Sequence, residues 1–147
     1  MAKEGLGKGG KIIYSGDTTP CTNFINYAQG CSLMIHEATL AAGMEADAKN
    51  KGHTTTAQAM ELIKEIKPWR AVLTHFSCRY MKVAEILPEH KENKVMVAFD
   101  HMRMNLSDFE WAYRFLDIFE KVISNEKEDD DAADNADEEV KQMQGKH

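Results

Sequence analysis

At 147 residues with 43% hydrophobic side chains, the chain has the size of one ordinary domain and room for one core. Its formal charge of -6 is uneven: from Glu126 onward there are nine acids and three lysines, which leaves 15 acids against 15 Lys plus Arg before that point. Composition therefore excludes a strongly basic nucleic-acid binder, three cysteines without C-x-x-C spacing exclude a disulfide scaffold, and no apolar stretch approaches the roughly 18 residues of a spanning helix. A soluble chain with reduced thiols in an intracellular compartment is expected.

Residues 1–10 are rich in Gly and Lys, lack the apolar core of a signal peptide and are expected to be flexible. A first strand is predicted at about Lys11 to Ser15, broken by Gly16-Asp17-Thr18-Thr19-Pro20. Pro20 suits a helix start, so Cys21 to Ala28 reads as a short helix stopped by Gly30. A second strand, about Cys31 to Ile35, leads into His36-Glu37-Ala38-Thr39, and the polar stretch Glu45 to Gly52 reads as a loop or a frayed helix.

Thr55-Thr56-Ala57-Gln58 fits a capping box ahead of a helix over about Thr56 to Ile66, with Ala59, Leu62, Ile63 and Ile66 on one face and Pro68 as its stop. Strand three, about Arg70 to Thr74, carries His75, and strand four, Lys94 to Phe99, carries Asp100 and His101. Ser107 to Glu110 reads as a second capping box, opening a helix to about Ile123 whose stripe of Phe109, Ala112, Leu116, Phe119 and Ile123 is core packing. The body is thus expected to span 11–124, followed by an acidic tail, 125–147, too poor in apolar surface to order itself.

Each of the four apolar runs ends on titratable side chains, and in open α/β sheets ligands sit beyond the carboxyl ends of the strands. Asp17 in its Gly turn offers a carboxylate that can bridge two metal ions. A His oriented by a Glu gains basicity and a fixed tautomer, the arrangement general acid/base catalysis requires, which singles out Glu37 and His53. His75 offers an imidazole for a metal, and Arg79 near it offers a guanidinium suited to a phosphate oxygen. His36 beside its apolar strand and His101 after strand four read as structural residues rather than ligands.

The segments SGDTTPC, LMIHEAT, GHTTTAQA, LTHFSCRY and VAFDHM, in this order, resemble the closing part of transfer RNA 3′-processing endoribonucleases of the ribonuclease Z family, most of all the eukaryotic long form. The resemblance covers about Lys11 to Asp108. It implies an α/β fold, the second half of a metallo-β-lactamase-type four-layer αββα sandwich, and two zinc ions in the complete enzyme. It further implies precursor tRNA as partner, with no membrane and no DNA, and a nuclear or mitochondrial setting. By the same resemblance Asp17 and His75 are metal ligands, Glu37 and His53 act as a catalytic pair on the leaving 3′ oxygen, and Ser77 and Arg79 bind substrate phosphate. His53 is followed by Thr54 where the family has Ser, which keeps the hydroxyl.

The family's His-x-His-x-Asp-His motif does not occur in this sequence. With two of the family's ligands present, the expectation is weak or absent zinc binding, no activity by this chain alone, and a sheet face that needs the upstream half of the domain or an oligomer to cover it. Two rival readings are another metallo-β-lactamase-type phosphodiesterase and a catalytically inert interaction fragment.

Overall fold

The computed structural model describes residues 10–77, 88–118 and 121. Its centre is a four-stranded, wholly parallel sheet in the order β1-β2-β3-β4, with β1 at Ile12–Tyr14, β2 at Leu33–Glu37, β3 at Arg70–Thr74 and β4 at Val95–Val97. Parallel neighbours require crossovers, and each is helical: α1 (Thr22–Ala28), then α2 (Glu45–Lys51) and α3 (Thr56–Ile66), then α4 (Pro88–Glu92).

The core forms where α1 and α3 meet the sheet. Met34, Ala71, Leu73 and Val95 from the strands pack with Ala28, Ala59, Met60, Ile63 and Ile66 from the helices. Alternation along β2 puts His36 on the same side as Met34, with Phe24 of α1 edge-on to its ring at 5.1 Å between centroids. Glu37 therefore turns the other way. Farther along the sheet Arg70 anchors the C-terminal segment, its Nε donating to the Phe109 carbonyl and its guanidinium lying 4.2 Å from the Trp69 ring centre. On β1 the side opposite Ile13 is open, with Ile12 55% and Tyr14 68% exposed.

Several boundaries differ from the sequence reading. The second strand starts and ends two residues later, so His36 and Glu37 lie within it rather than beyond it. Residues 45–51 are a regular helix: Glu45 and Asp47 in the first turn and Lys49 and Lys51 in the last match the helix dipole, and Gly52 at φ 78 closes it with its N–H on the Ala48 and Lys49 carbonyls. No apolar period announced it, because Ala48 is its one buried residue. Pro20 precedes α1, whose cap is the Cys21 sulfur accepting from the Phe24 N–H at 3.4 Å.

The segment read as a helix from Ser107 begins as two 3-10 helices, Leu106–Glu110 and Ala112–Phe115, and turns α-helical only at 116–118. The capping pair is Asn105 with Asp108, whose carboxylate takes the Asn105 N–H at 2.7 Å, not Ser107 with Glu110. Phe109, Ala112 and Leu116 are buried as that stripe requires. Phe119, Ile123, the start at 1–9 and the acidic tail lie outside the described residues.

His36 is buried and accordingly neutral: desolvation lowers its pKa below the usual 6.5, although the Glu37 carbonyl and charge pull the other way. Between the folded and unfolded values the unfolded chain binds more protons, so acid favours unfolding there. Stability should be level above about pH 6.5 and fall as pH drops below it, with His90, lowered by the same burial, acting in the same direction. Thermal midpoints of the parent and His36→Gln from pH 8 to 5 check this, and an equally steep acid decline in the variant would contradict it.

Candidate metal and acid/base site

The register sets the site. Glu37 lies opposite Thr74, so β2 and β3 end level with each other, and Tyr14 at the end of β1 lies opposite Ile35 two residues earlier. The loop after β1 consequently crosses above the end of β2. There the Glu37 N–H donates to Ser15 Oγ at 3.0 Å, and the turn at Gly16, φ 59, swings Asp17 over the sheet edge.

The Glu37 carboxylate is 2% exposed and fully engaged. Its Oε1 accepts from the Thr18 N–H at 2.6 Å and from His53 Nδ1 at 3.0 Å. Its Oε2 accepts from the Thr39 hydroxyl at 2.5 Å, the Thr54 N–H at 3.1 Å and the Thr39 N–H at 3.3 Å. Thr54 closes the ring by donating its hydroxyl to the Thr18 carbonyl at 2.6 Å. Burial alone would raise the carboxyl's pKa, but the bonds from Thr39, Thr18, Thr54 and His53 outweigh it and hold the group below the usual 4.5.

These bonds also assign the imidazoles. His53 Nδ1 faces an ionised oxygen, so it carries the proton and leaves Nε2 as the free acceptor. Thr39 has one hydroxyl proton and gives it to Glu37, so His75 Nδ1, 2.7 Å from that hydroxyl oxygen, must donate to it, which again leaves Nε2 free. His75 holds a left-handed backbone, φ 63, which costs a non-glycine residue about 1 kcal/mol. The flanking bonds from Ala38 N–H to the Thr74 carbonyl, 2.9 Å, and from Ser77 N–H to the Thr39 carbonyl, 3.0 Å, hold it there.

Asp17, His53 and His75 each bring one donor atom within 4.8 Å of the others, and the two rings lie 5.4 Å apart between centroids. Asp17 Oδ1 is 3.6 Å from His75 Nδ1. One carboxylate and two imidazoles are zinc-type donors, and three protein donors are what a catalytic zinc takes, so the residues present fit that metal. Glu37 and Thr39 orient the two rings as outer partners, which metal-binding histidines require.

Of the residues expected from sequence, Asp17, Glu37, His53 and His75 converge, and His53 stands among the possible metal donors as well as on Glu37. Ser77 lies half-buried beside them, and Arg79 lies outside the described residues. His36 is buried on the helix side of the sheet with Nδ1 on the Glu37 carbonyl, 2.6 Å, while Asp100 and His101 are exposed and stand outside the cluster. Thr39 and Thr18, which with Thr54 hold the carboxylate, were not singled out, and Thr54 was noted only for its hydroxyl. Their signal is the clustering of threonines beside Asp17, Glu37 and His53.

A model of the β-lactamase superfamily domain matches residues 4–76. Zinc phosphodiesterase ELAC protein 2 of Homo sapiens is 45% identical over 101 residues, 69% of this chain and 12% of that protein. The protein named tRNase Z TRZ3, mitochondrial, of Arabidopsis thaliana is 36% identical over 135 residues, 91% of this chain and 15% of that one. The crystal structure of a long-form RNase Z from yeast matches with a TM-score of 0.65 and 30% identity, over 81% of this chain and 16% of that chain. The chain therefore spans a small part of the length of each relative.

Replacing Glu37 by Gln keeps the size but turns an N–H₂ group toward groups that donate to the carboxylate in the parent. Each stranded buried donor costs about 1–3 kcal/mol, so Glu37→Gln should lower the thermal midpoint by about 10 °C, as a loss near 3 kcal/mol does in a domain of this size. Calorimetry of parent and variant decides it. An unchanged midpoint would show that the carboxylate is not what holds the loops.

Proposed function

Because this chain belongs to the metallo-β-lactamase superfamily, in the group containing the tRNase Z proteins, we propose that it forms part of a zinc-dependent endoribonuclease that removes the 3′ trailer from precursor tRNA. The observation that carries the reading is the Glu37 carboxylate holding His53 and the β1 loop, so that Asp17, His53 and His75 meet at one sheet edge.

In this reading Asp17 and His75 hold metal, two zinc ions being present in the complete enzyme, and bound zinc supplies Lewis-acid polarisation of a phosphoryl oxygen. His53, held by Glu37 3.0 Å away, delivers a proton to the departing 3′ oxygen. Glu37 acts through His53 and is a positioning residue. Ser77, beside His75, and Arg79 bind substrate phosphate.

The remaining ligands come from a further segment of the same fold, since the sequence holds no His-x-His-x-Asp-His run. Such a segment also covers Ile12 and Tyr14 on the open side of β1. By itself the chain then binds zinc weakly and does not cleave. The proposed setting is the nucleus or the mitochondrion; relatives carry the latter in their names, and no helix among the described residues is long and apolar enough to cross a membrane.

The test is single-turnover cleavage of a precursor tRNA by an enzyme assembled with this chain, with zinc measured on every preparation. Asp17→Ala and His75→Ala should lose zinc and activity together. His53→Ala should lose roughly 10²- to 10⁴-fold in rate with zinc retained. Zinc lost from His53→Ala would place that residue in the metal shell instead, and preferred turnover of a small phosphodiester over precursor tRNA would favour a different hydrolase of this fold.

A further inference from the structure

Beside His53 a groove of about 660 Å³ runs between the β1 loop and helices α2 and α3. Pro20 and Thr19 form one wall, Glu45 and Lys49 the other, and Gln58 and His53 stand at its inner side. Its volume is that of an ordinary small-molecule site.

The polar groups here are fixed in a particular sense. Gln58 accepts the Thr55 N–H on Oε1 at 3.0 Å as half of the capping box, so its Nε2 is left as a donor. Glu45 receives the Gly43 N–H at 3.0 Å and the Thr55 hydroxyl at 3.4 Å on Oε1, which leaves Oε2 as an acceptor. Lys49, one helical turn on from Glu45, is exposed, and its ammonium makes no hydrogen bond or ion pair with another described residue. The groove thus offers two donors, one anionic acceptor and the flat faces of Pro20 and the His53 ring.

A phosphate group has acceptors only and would be repelled by Glu45. A nucleobase edge carries donors and acceptors side by side, and its faces stack on flat side chains; unpaired bases at RNA ends are read in this way. We propose that this groove is a nucleobase subsite, holding the unpaired RNA base next to the scissile phosphate. Lys49 and Gln58 donate to its acceptors and Glu45 receives its N–H groups. This rests on the RNA-cleavage reading above, and guanine, with acceptors on one edge and two N–H donors on the next, uses all three groups.

The probes are GMP, AMP, CMP, UMP and ribose 5-phosphate, each titrated to tens of millimolar into the ¹⁵N-labelled full chain. The Gln58 side-chain amide and the Lys49 and Ala46 backbone amides are followed by NMR. GMP should shift them saturably and bind tighter than UMP, and ribose 5-phosphate should leave them unmoved. Lys49→Met, which keeps the stem and the fold as judged by an otherwise unchanged spectrum, should weaken GMP about fivefold, the loss of one hydrogen bond. Shifts of equal size with ribose 5-phosphate, no saturable shift with any base, or unchanged GMP affinity in Lys49→Met would each overturn the subsite. These outcomes are separate from the cleavage reading: precursor tRNA cut without nucleotide binding here sinks the subsite alone, and nucleotide bound here without cleavage in the assembled enzyme sinks the nuclease alone.

Discussion

A buried carboxylate survives only if its environment replaces the water it has lost. Glu37 does this with N–H and O–H donors drawn from the β1 loop, the end of its own strand and the loop before α3. The charge is the point at which these segments meet. The desolvation cost is several kcal/mol for an ion and is met only while every donor stays in place. Loops that would otherwise fluctuate separately are thereby coupled into one unit.

The same bonds prepare the chemistry. Because Oε1 faces His53 and Oε2 takes the Thr39 proton, both imidazoles at the edge are set in the tautomer that frees Nε2. On the function proposed here, folding stability and readiness for metal or proton transfer rest on one group, and substitution of it is expected to register in both. The two rings tilt by 42° relative to each other with Asp17 alongside, which leaves an open approach from solvent: the Asp17 and His75 side chains are 61% and 49% exposed.

Much of this was legible in the sequence, for a physical reason. Strands buried on both sides read as short apolar runs, and in open α/β sheets ligands bind beyond the carboxyl ends of the strands, so titratable residues there are the first candidates for a site. That pattern pointed to Asp17 in the turn after β1, Glu37 at the end of β2 and His75 directly after β3. The fourth run contributes no site residue, as the reading of His101 as structural expects: β4 stops at Val97 opposite Leu73, one residue short of Thr74, and the chain carries Asp100 and His101 out to solvent. Helix α2 was hidden because charge pairing with the dipole and a glycine cap, rather than an apolar stripe, define it. Likewise α4, Pro88–Glu92, turns on one fully buried residue, His90, too little for a period to show. Part of the threonines' role was illegible because the Thr18 and Thr54 bonds to the carboxylate come from backbone N–H groups, which every residue type carries; the Thr39 hydroxyl does its work through the side chain.

The most direct measurement is a ¹³C NMR titration of the Glu37 side-chain carboxyl, read together with the Thr18 and Thr54 amide protons. The expected result is a carboxyl that ionises below 4.5, with both amide signals moving at the same midpoint because all report one hydrogen-bonded unit. A Glu37 that titrates at or above its ordinary value, or amides that stay still while it titrates, would contradict the claim that this carboxylate assembles the site.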